Sequence, residues 1–260
     1  VRHFFFCLFL GLIFGLPVLL LALYALGPGW SFPHLVPQNF NFRAMLWMWS
    51  RHEALLGDLF SSLAYSLCTV GLTLIMCYTP AALLAARDFP GKNLLDGLLL
   101  TPALVPPMTF AMGLHTVFIH LGLADTVMGV VLVLSMFSYP YMLRALIAGF
   151  QALGPDYVLC ARNLGAGVWV RLFRVELPLL VPAIVAGGTV VFLVAFSEYF
   201  LVFLIGGGTV PALTGTLFPL LSSSDRAPAS LLTLAFLAVP LILFACVDGV
   251  VLSWYRRRGM

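Results

Sequence analysis

The sequence predicts an all-α membrane protein with six transmembrane helices, and three observations carry that prediction. Of 260 residues, 62% are hydrophobic and 9% are charged. A soluble domain carries about 25% charged residues, so this chain cannot cover a water-facing surface, and a water-soluble globular enzyme is excluded. The apolar residues also collect into six runs of about 20 residues or more, the length a helix needs to cross hydrocarbon. Finally, the basic residues sort to one side of those six runs. The 23 Gly and 17 Pro show no G-X-Y period, which excludes a collagen-like chain, and a net charge of +3 does not by itself imply a nucleic-acid partner.

The first run covers residues 4–26, after Arg2 and His3. It is longer than the 7–15-residue core of a cleaved signal peptide and reads as an uncleaved first helix. Residues 27–58 form an outer linker holding Trp30, Trp47 and Trp49, residues suited to a membrane interface. The second run is 59–86, closed by the polar loop 87–93. The third is 94–121 and the fourth 126–150. A polar stretch, 151–176, precedes the fifth run, 179–205. A Gly- and Ser-rich loop, 206–227, with Gly206–Gly208 and Ser222–Ser224, precedes the sixth, 228–254. The organisation is therefore a first helix with its linker (1–58), a five-helix core (59–254) containing the loop 151–178, and a basic tail (255–260).

With both termini on one side, that side receives Arg2, Arg87, Lys92, Arg144, Arg162, Arg171, Arg174, Arg256, Arg257 and Arg258. The other receives Arg43, Arg51 and Arg226. The positive-inside rule makes the richer side, and both ends, cytoplasmic. Each run contains proline: Pro17, Pro80, Pro102, Pro106, Pro107, Pro140, Pro182 and Pro240. Proline removes a backbone donor and tends to kink a helix, although it is also commoner in membrane helices than in soluble ones.

No motif for chemistry is visible. Gly91-Lys92 lacks the upstream glycine and following hydroxyl of a phosphate loop, and no H-E-x-x-H, G-x-S-x-G or dinucleotide fingerprint occurs. Energy for active transport would come from an ion gradient or another chain. Cys7, Cys68, Cys77, Cys160 and Cys246 form no C-x-x-C pair and read as small hydrophobes. His115 and His120 read as ordinary polar residues rather than metal ligands, and Asp96 and Asp248 as interface residues or partners of a nearby Arg. Tyr139 and Tyr141 read as packing residues.

The stretch 151–176 reads as helix, turn, helix on the cytoplasmic side. Pro155-Asp156 suits a helix start. Gly165 and Gly167 can end that helix through the left-handed conformation. Trp169, Leu172 and Phe173 recur at helical spacing, with Arg171 and Arg174 on the other face, and Pro178 marks the start of the fifth run. An exposed amphipathic helix pair suits docking of a soluble partner.

This loop resembles the EAA motif of permease subunits of binding-protein-dependent ABC importers: E-A-A, three residues, Gly, nine residues, Ile, one residue, Leu-Pro. Ala161, Gly165, Val175, Leu177 and Pro178 fall on that spacing. Arg162, Leu164, Ala166, Trp169 and Phe173 resemble common variants, while Leu159 stands for Glu and Cys160 for Ala. Residues 89–92 through 104–107 resemble the family's connection between its second and third spans. Phe196-Ser197-Glu198-Tyr199-Phe200 resembles a stretch of the fifth span in the spermidine/putrescine-type branch. The likeness covers about residues 61–251.

The resemblance implies a MetI-like type I importer permease with a cytoplasmic coupling helix. It implies a second permease subunit, same or sister, an ATPase dimer below, and a periplasmic or lipid-anchored substrate-binding protein above. ATP would be bound by the ATPase, so the chain itself needs no cofactor and performs no chemistry. The coupling residues would be Leu159, Cys160, Ala161, Arg162, Gly165, Ala166, Leu177 and Pro178. Loop 206–227 would lie where a binding protein docks. Glu198, with Ser197 and Tyr199, would either line the pathway and favour a polyamine-like cation or serve helix packing. Iron(III), thiamine, phosphonate and sulfate are the alternative substrates. An ion-coupled secondary transporter is the rival function, disfavoured by the scarcity of intramembrane carboxylates. A channel or an assembly factor is another.

Overall fold

The computed structural model describes residues 2–30, 34, 36–223 and 225–258. Ser224, and the side chains of Arg2, His3, Cys7, Trp254, Arg257 and Arg258, lie outside the described residues. The elements are α1 (Arg2–Leu26), α2 (Arg43–Ser50), α3 (His52–Ala86), α4 (Lys92–Leu99), α5 (Thr101–Leu104), α6 (Pro107–His120) and α7 (Val127–Leu153). They continue with α8 (Asp156–Asn163), α9 (Val168–Arg171), a π-helical turn (Leu172–Glu176), α10 (Leu177–Ser197), α11 (Phe200–Gly206), α12 (Leu213–Leu221) and α13 (Arg226–Arg258).

The chain divides into two compact units. One comprises the chain up to Leu59 and from Ala212 onward; the other is Phe60–Pro211. In the first unit α1, α2 and α12 all pack against α13. Its polar ties are an Arg43–Asp225 ion pair, the Thr216 hydroxyl donating to Asp58 (2.6 Å), and the Arg226 guanidinium over the Tyr24 ring (5.7 Å). Apolar side chains such as Phe9, Leu12 and Phe14 stand exposed along α1, a surface that suits lipid and not water.

The core of the second unit is built by Cys77, Ala81 and Leu84 of α3, Met142, Leu143, Leu146 and Ile147 of α7, and Val191 of α10. Thr126 caps α7 by accepting from the Gly129 amide (3.0 Å). Helices α7 and α10 pack together through two reciprocal small-residue pairs. A Cβ on Gly149 would lie 2.5 Å from the Ala183 Cβ, and one on Gly187 would lie 2.8 Å from the Ala145 Cβ. Ala145 and Gly149, like Ala183 and Gly187, are four residues apart, so each helix turns one small face to the other. Lipid supplies no hydrophobic drive for helix association, so close packing of this kind holds membrane helices together. Four hydroxyls buried in the same unit return to their own helices. Thr69 donates to the Tyr65 carbonyl (2.8 Å), Thr73 to Thr69 (2.9 Å), Ser135 to Val131 (2.7 Å) and Ser138 to Leu134 (2.6 Å). Bonded in this way, they can occupy an apolar bundle without an unmet donor.

Among the described residues, five helical stretches are long and apolar enough to cross a membrane: Phe9–Leu26, His52–Ala86, Val127–Leu153, Val168–Ser197 and Arg226–Ser253. The expected third span, 94–121, is not one helix but the series α4, α5 and α6. Three prolines within six residues explain the breaks. Val105 is extended (φ −86°, ψ 132°), as a residue before proline prefers, and Pro106 and Pro107 start α6. By contrast, Pro17, Pro80, Pro140 and Pro182, like Pro240, sit inside helices that run on through them. The expected fifth span, 179–205, also differs. Helix begins earlier, at Val168, and stops at Glu198, with α11 following separately.

Candidate functional site

The loop after α7 folds as a short helix, a tight turn and a second helical segment. Helix α8 ends in a paired bond: the Gly165 amide donates to the Arg162 carbonyl (2.9 Å) and the Ala166 amide to the Ala161 carbonyl (3.0 Å). This is the Schellman closure, and it requires the residue at Gly165 to be left-handed; its φ is +77°. Gly167 does not share the role. It is extended (φ −65°, ψ 167°) and precedes α9, so it opens the next segment and does not close the first.

The second segment is not a separate short helix. Helix α9 passes through the π turn directly into α10. There the Leu177 amide donates to the Leu172 carbonyl, five residues back. Pro178 has no amide to give the Arg174 carbonyl, and its ring would crowd that carbonyl in a regular helix; a widened turn relieves this. The Leu-Pro pair therefore stands where the helix changes pitch.

Within this frame Ala161 is buried, holding α8 to the bundle. Leu159, Cys160 and Arg162 are exposed, as are Leu164, Val168, Trp169 and Phe173. Leu164 is 88% exposed, an extreme value for leucine. The rings of Trp169 and Phe173 stack at 6.0 Å and remain open to solvent. The segment thus presents an apolar patch beyond a polar turn, which can receive a complementary surface. Ala166, Leu177 and Pro178 are half-buried and shape the turn.

Arg171 departs from the amphipathic expectation. It does not share the solvent face with Arg174 but turns inward, its Nε donating to Glu176 Oε1 at 2.6 Å. Glu176 is buried, and its second oxygen accepts from the Tyr78 hydroxyl of α3. Sequence reasoning passed over both Glu176 and Tyr78. The single signal available was an acid in the position between Val175 and Leu177, immediately before an apolar run. A cleft of about 680 Å³ opens beside this group, between α3 and α8, with Ala82, Ala86, Val158 and Leu159 among its walls. Removing one partner of a buried ion pair costs about 3–5 kcal/mol, because the other charge is stranded.

The fifth-span residues occupy the break after α10. Glu198 accepts from the amides of Phe200 (3.1 Å) and Leu201 (3.3 Å), capping the start of α11. Ser197 donates back to the Leu193 carbonyl (2.6 Å), and Tyr199 stacks on Phe203 (5.5 Å). Replacing Glu198 with Ala should remove the cap and lower stability by about 0.5–2 kcal/mol, whereas Glu198→Gln, which keeps an acceptor oxygen, should change it far less. Thermal unfolding of the two variants checks this. Asp96 pairs with Arg144 (3.0 Å). His115 is half-buried and His120 exposed on α6, and among the described residues no three His, Cys, Asp or Glu side chains gather to hold a metal.

Known proteins resemble the chain over this region and beyond it. It is 28% identical over 192 residues to the sulfate transport system permease protein CysT of Escherichia coli, covering 68% of this chain and 69% of that one. It is 30% identical over 135 residues to the molybdenum transport system permease protein ModB of the same organism, covering 46% of this chain and 58% of that one. A bacterial ABC transporter involved in the import of the acidic polysaccharide alginate contains a chain of the same fold, with a TM-score of 0.70 at 16% identity and 95% of both chains covered. Residues 78–258, from the tyrosine on α3 through the capped turn to the end of α13, match the family model "Binding-protein-dependent transport system inner membrane component". The chain belongs to that family, the permease subunits of ABC importers.

Proposed function

We propose that this chain forms half of the transmembrane path of an ATP-driven importer and that the segment 151–178 is its coupling element. The observation that carries this reading is the turn closed at Gly165, which holds Leu164, Trp169 and Phe173 outward on a rigid, polar-flanked support. An ATPase groove would take up that patch, a second permease subunit would complete the path, and a substrate-binding protein would deliver solute from outside. The polypeptide crosses six times, with α4–α6 as a broken third crossing, and both termini are cytoplasmic, as the ten-to-three split of basic residues favours.

The solute favoured is a small oxyanion. Support comes from the sulfate and molybdenum systems to which the relatives belong and from Glu198, whose carboxylate is occupied with two backbone amides. The second reading, a polyamine-like cation, rests on that same carboxylate lying at a break in the fifth span.

Reconstituting the chain with a cognate ATPase and binding protein tests both levels. ATP-dependent uptake of sulfate or molybdate, unaffected by excess spermidine and by Glu198→Gln, is expected. Spermidine uptake abolished by Glu198→Gln would replace the oxyanion with the cation. Stable association with the ATPase should fall at least about tenfold in Leu164→Glu, since a charge would be buried in an apolar contact. Undiminished association would remove the docking role from this patch.

A further inference from the structure

We propose that Tyr78, Glu176 and Arg171 form a latch that carries movement of the coupling segment into α3. The inference rests on the coupling role proposed above and adds a physical link that role requires. A cleft of about 680 Å³ lies between α3 and α8, and its α3 wall is largely alanine. Small side chains across open space transmit little force. The Tyr78–Glu176 hydrogen bond joins α3 to the π turn at the wall of that cleft, and Arg171 secures the other oxygen of the carboxylate.

The placement of each group fits a mechanical junction. Tyr78 lies on α3 and meets the Phe150 ring of α7 edge-on at 5.4 Å, so its hydroxyl is held in position. Arg171 ends α9, and Glu176 ends the π turn. Along the chain, a displacement of α9 passes Glu176 before it reaches α10, and Glu176 is bonded to α3. The carboxylate is largely buried, with only its cleft edge open, so breaking its bonds would leave a poorly solvated charge. The π turn supplies the compliance, because its wider pitch can convert to regular helix with a small shift of register. Glu176 is thus a positioning residue: it touches no solute, but ties two elements that must move together.

The test uses the whole importer, reconstituted with its ATPase and binding protein, in the variants Tyr78→Phe, Glu176→Gln and the two combined. Assembled complex, melting temperature, ATP hydrolysis and solute uptake are measured together. Expected is an increase of about tenfold in ATP hydrolysed per solute moved, the scale of a typical coupling term, with near-normal assembly. The double variant should lose less than the sum of the two single losses, since Glu176→Gln removes the charge and Tyr78→Phe removes one of the bonds of the same group. Glu176→Asp, which keeps the charge, should recover part of the loss. A normal ATP-to-solute ratio in both single variants would overturn the latch. So would losses of melting temperature, hydrolysis and uptake in equal proportion, which mark plain destabilisation. The mild Tyr78→Phe change keeps the test open if Glu176→Gln does not assemble. If the wild-type chain itself fails to couple to an ATPase, the coupling role fails; if it couples and the variants do too, the latch alone fails.

Discussion

Gly165→Val should abolish most solute uptake while leaving the chain inserted in the membrane. The left-handed conformation at this position costs an ordinary residue about 1–2 kcal/mol, and a β-branched one is still less suited. The φ of +77° and the two closing bonds to Ala161 and Arg162 depend on that conformation. A valine would open the turn, and Leu164, next to it, would no longer be held outward. A loss of about 1.4 kcal/mol in productive docking already corresponds to a tenfold fall, so uptake lower by about tenfold or more is expected. Gly165→Asn should retain a larger share, because asparagine tolerates the left-handed region. Uptake assays beside pull-down of the ATPase make the comparison. Normal uptake by Gly165→Val at normal assembly would show that the turn has no part in coupling.

Gly149→Ala should destabilise the bundle, while Gly71→Ala should not. Both sites are helical, and alanine is the better helix former by about 1 kcal/mol, so propensity alone predicts a gain at each. Packing reverses the sign at one. A Cβ on Gly149 would stand 2.5 Å from Ala183 and 3.1 Å from Leu180, whereas one on Gly71 meets nothing within 4 Å. Overfilling a packed contact costs about 1–3 kcal/mol, which exceeds the propensity gain. Gly187→Ala, at the reciprocal pair, should behave like Gly149→Ala. Thermal unfolding of the purified proteins decides the matter; a melting temperature raised in all three would mean that α7 and α10 separate without cost.

These two sites differ in how far the sequence reveals them. Gly165 is legible because its distance from Leu177-Pro178 and its place after a helix-length segment are local facts. Gly149 and Gly187 each sit four residues from an alanine, but so do many small residues in an apolar chain. Only the packed helices show that these two alanine–glycine steps face each other. Arg171 illustrates the same limit. Helical periodicity placed it with Arg174 toward water, and a carboxylate five residues on drew it inward. Glu198 stands out as an acid in an apolar run, but its use as a cap for α11 depends on a break that hydropathy does not register.

By itself the sequence determined that this chain lives in lipid, where its apolar runs begin and end, and which polar loop carries a glycine-closed turn. Those properties follow from composition, run length and local backbone preference, each set within some twenty residues. The tertiary structure decided which prolines break a helix and which are absorbed. It also decided where the helix widens before Pro178 and that Glu176 meets the Tyr78 hydroxyl of α3 as well as Arg171. The last of these hinges on neighbours distant in sequence: Tyr78 and Glu176 meet only because α3 and the start of α10 are brought together. A buried carboxylate is tolerable only where such partners converge, so its role became readable only once the fold had placed them.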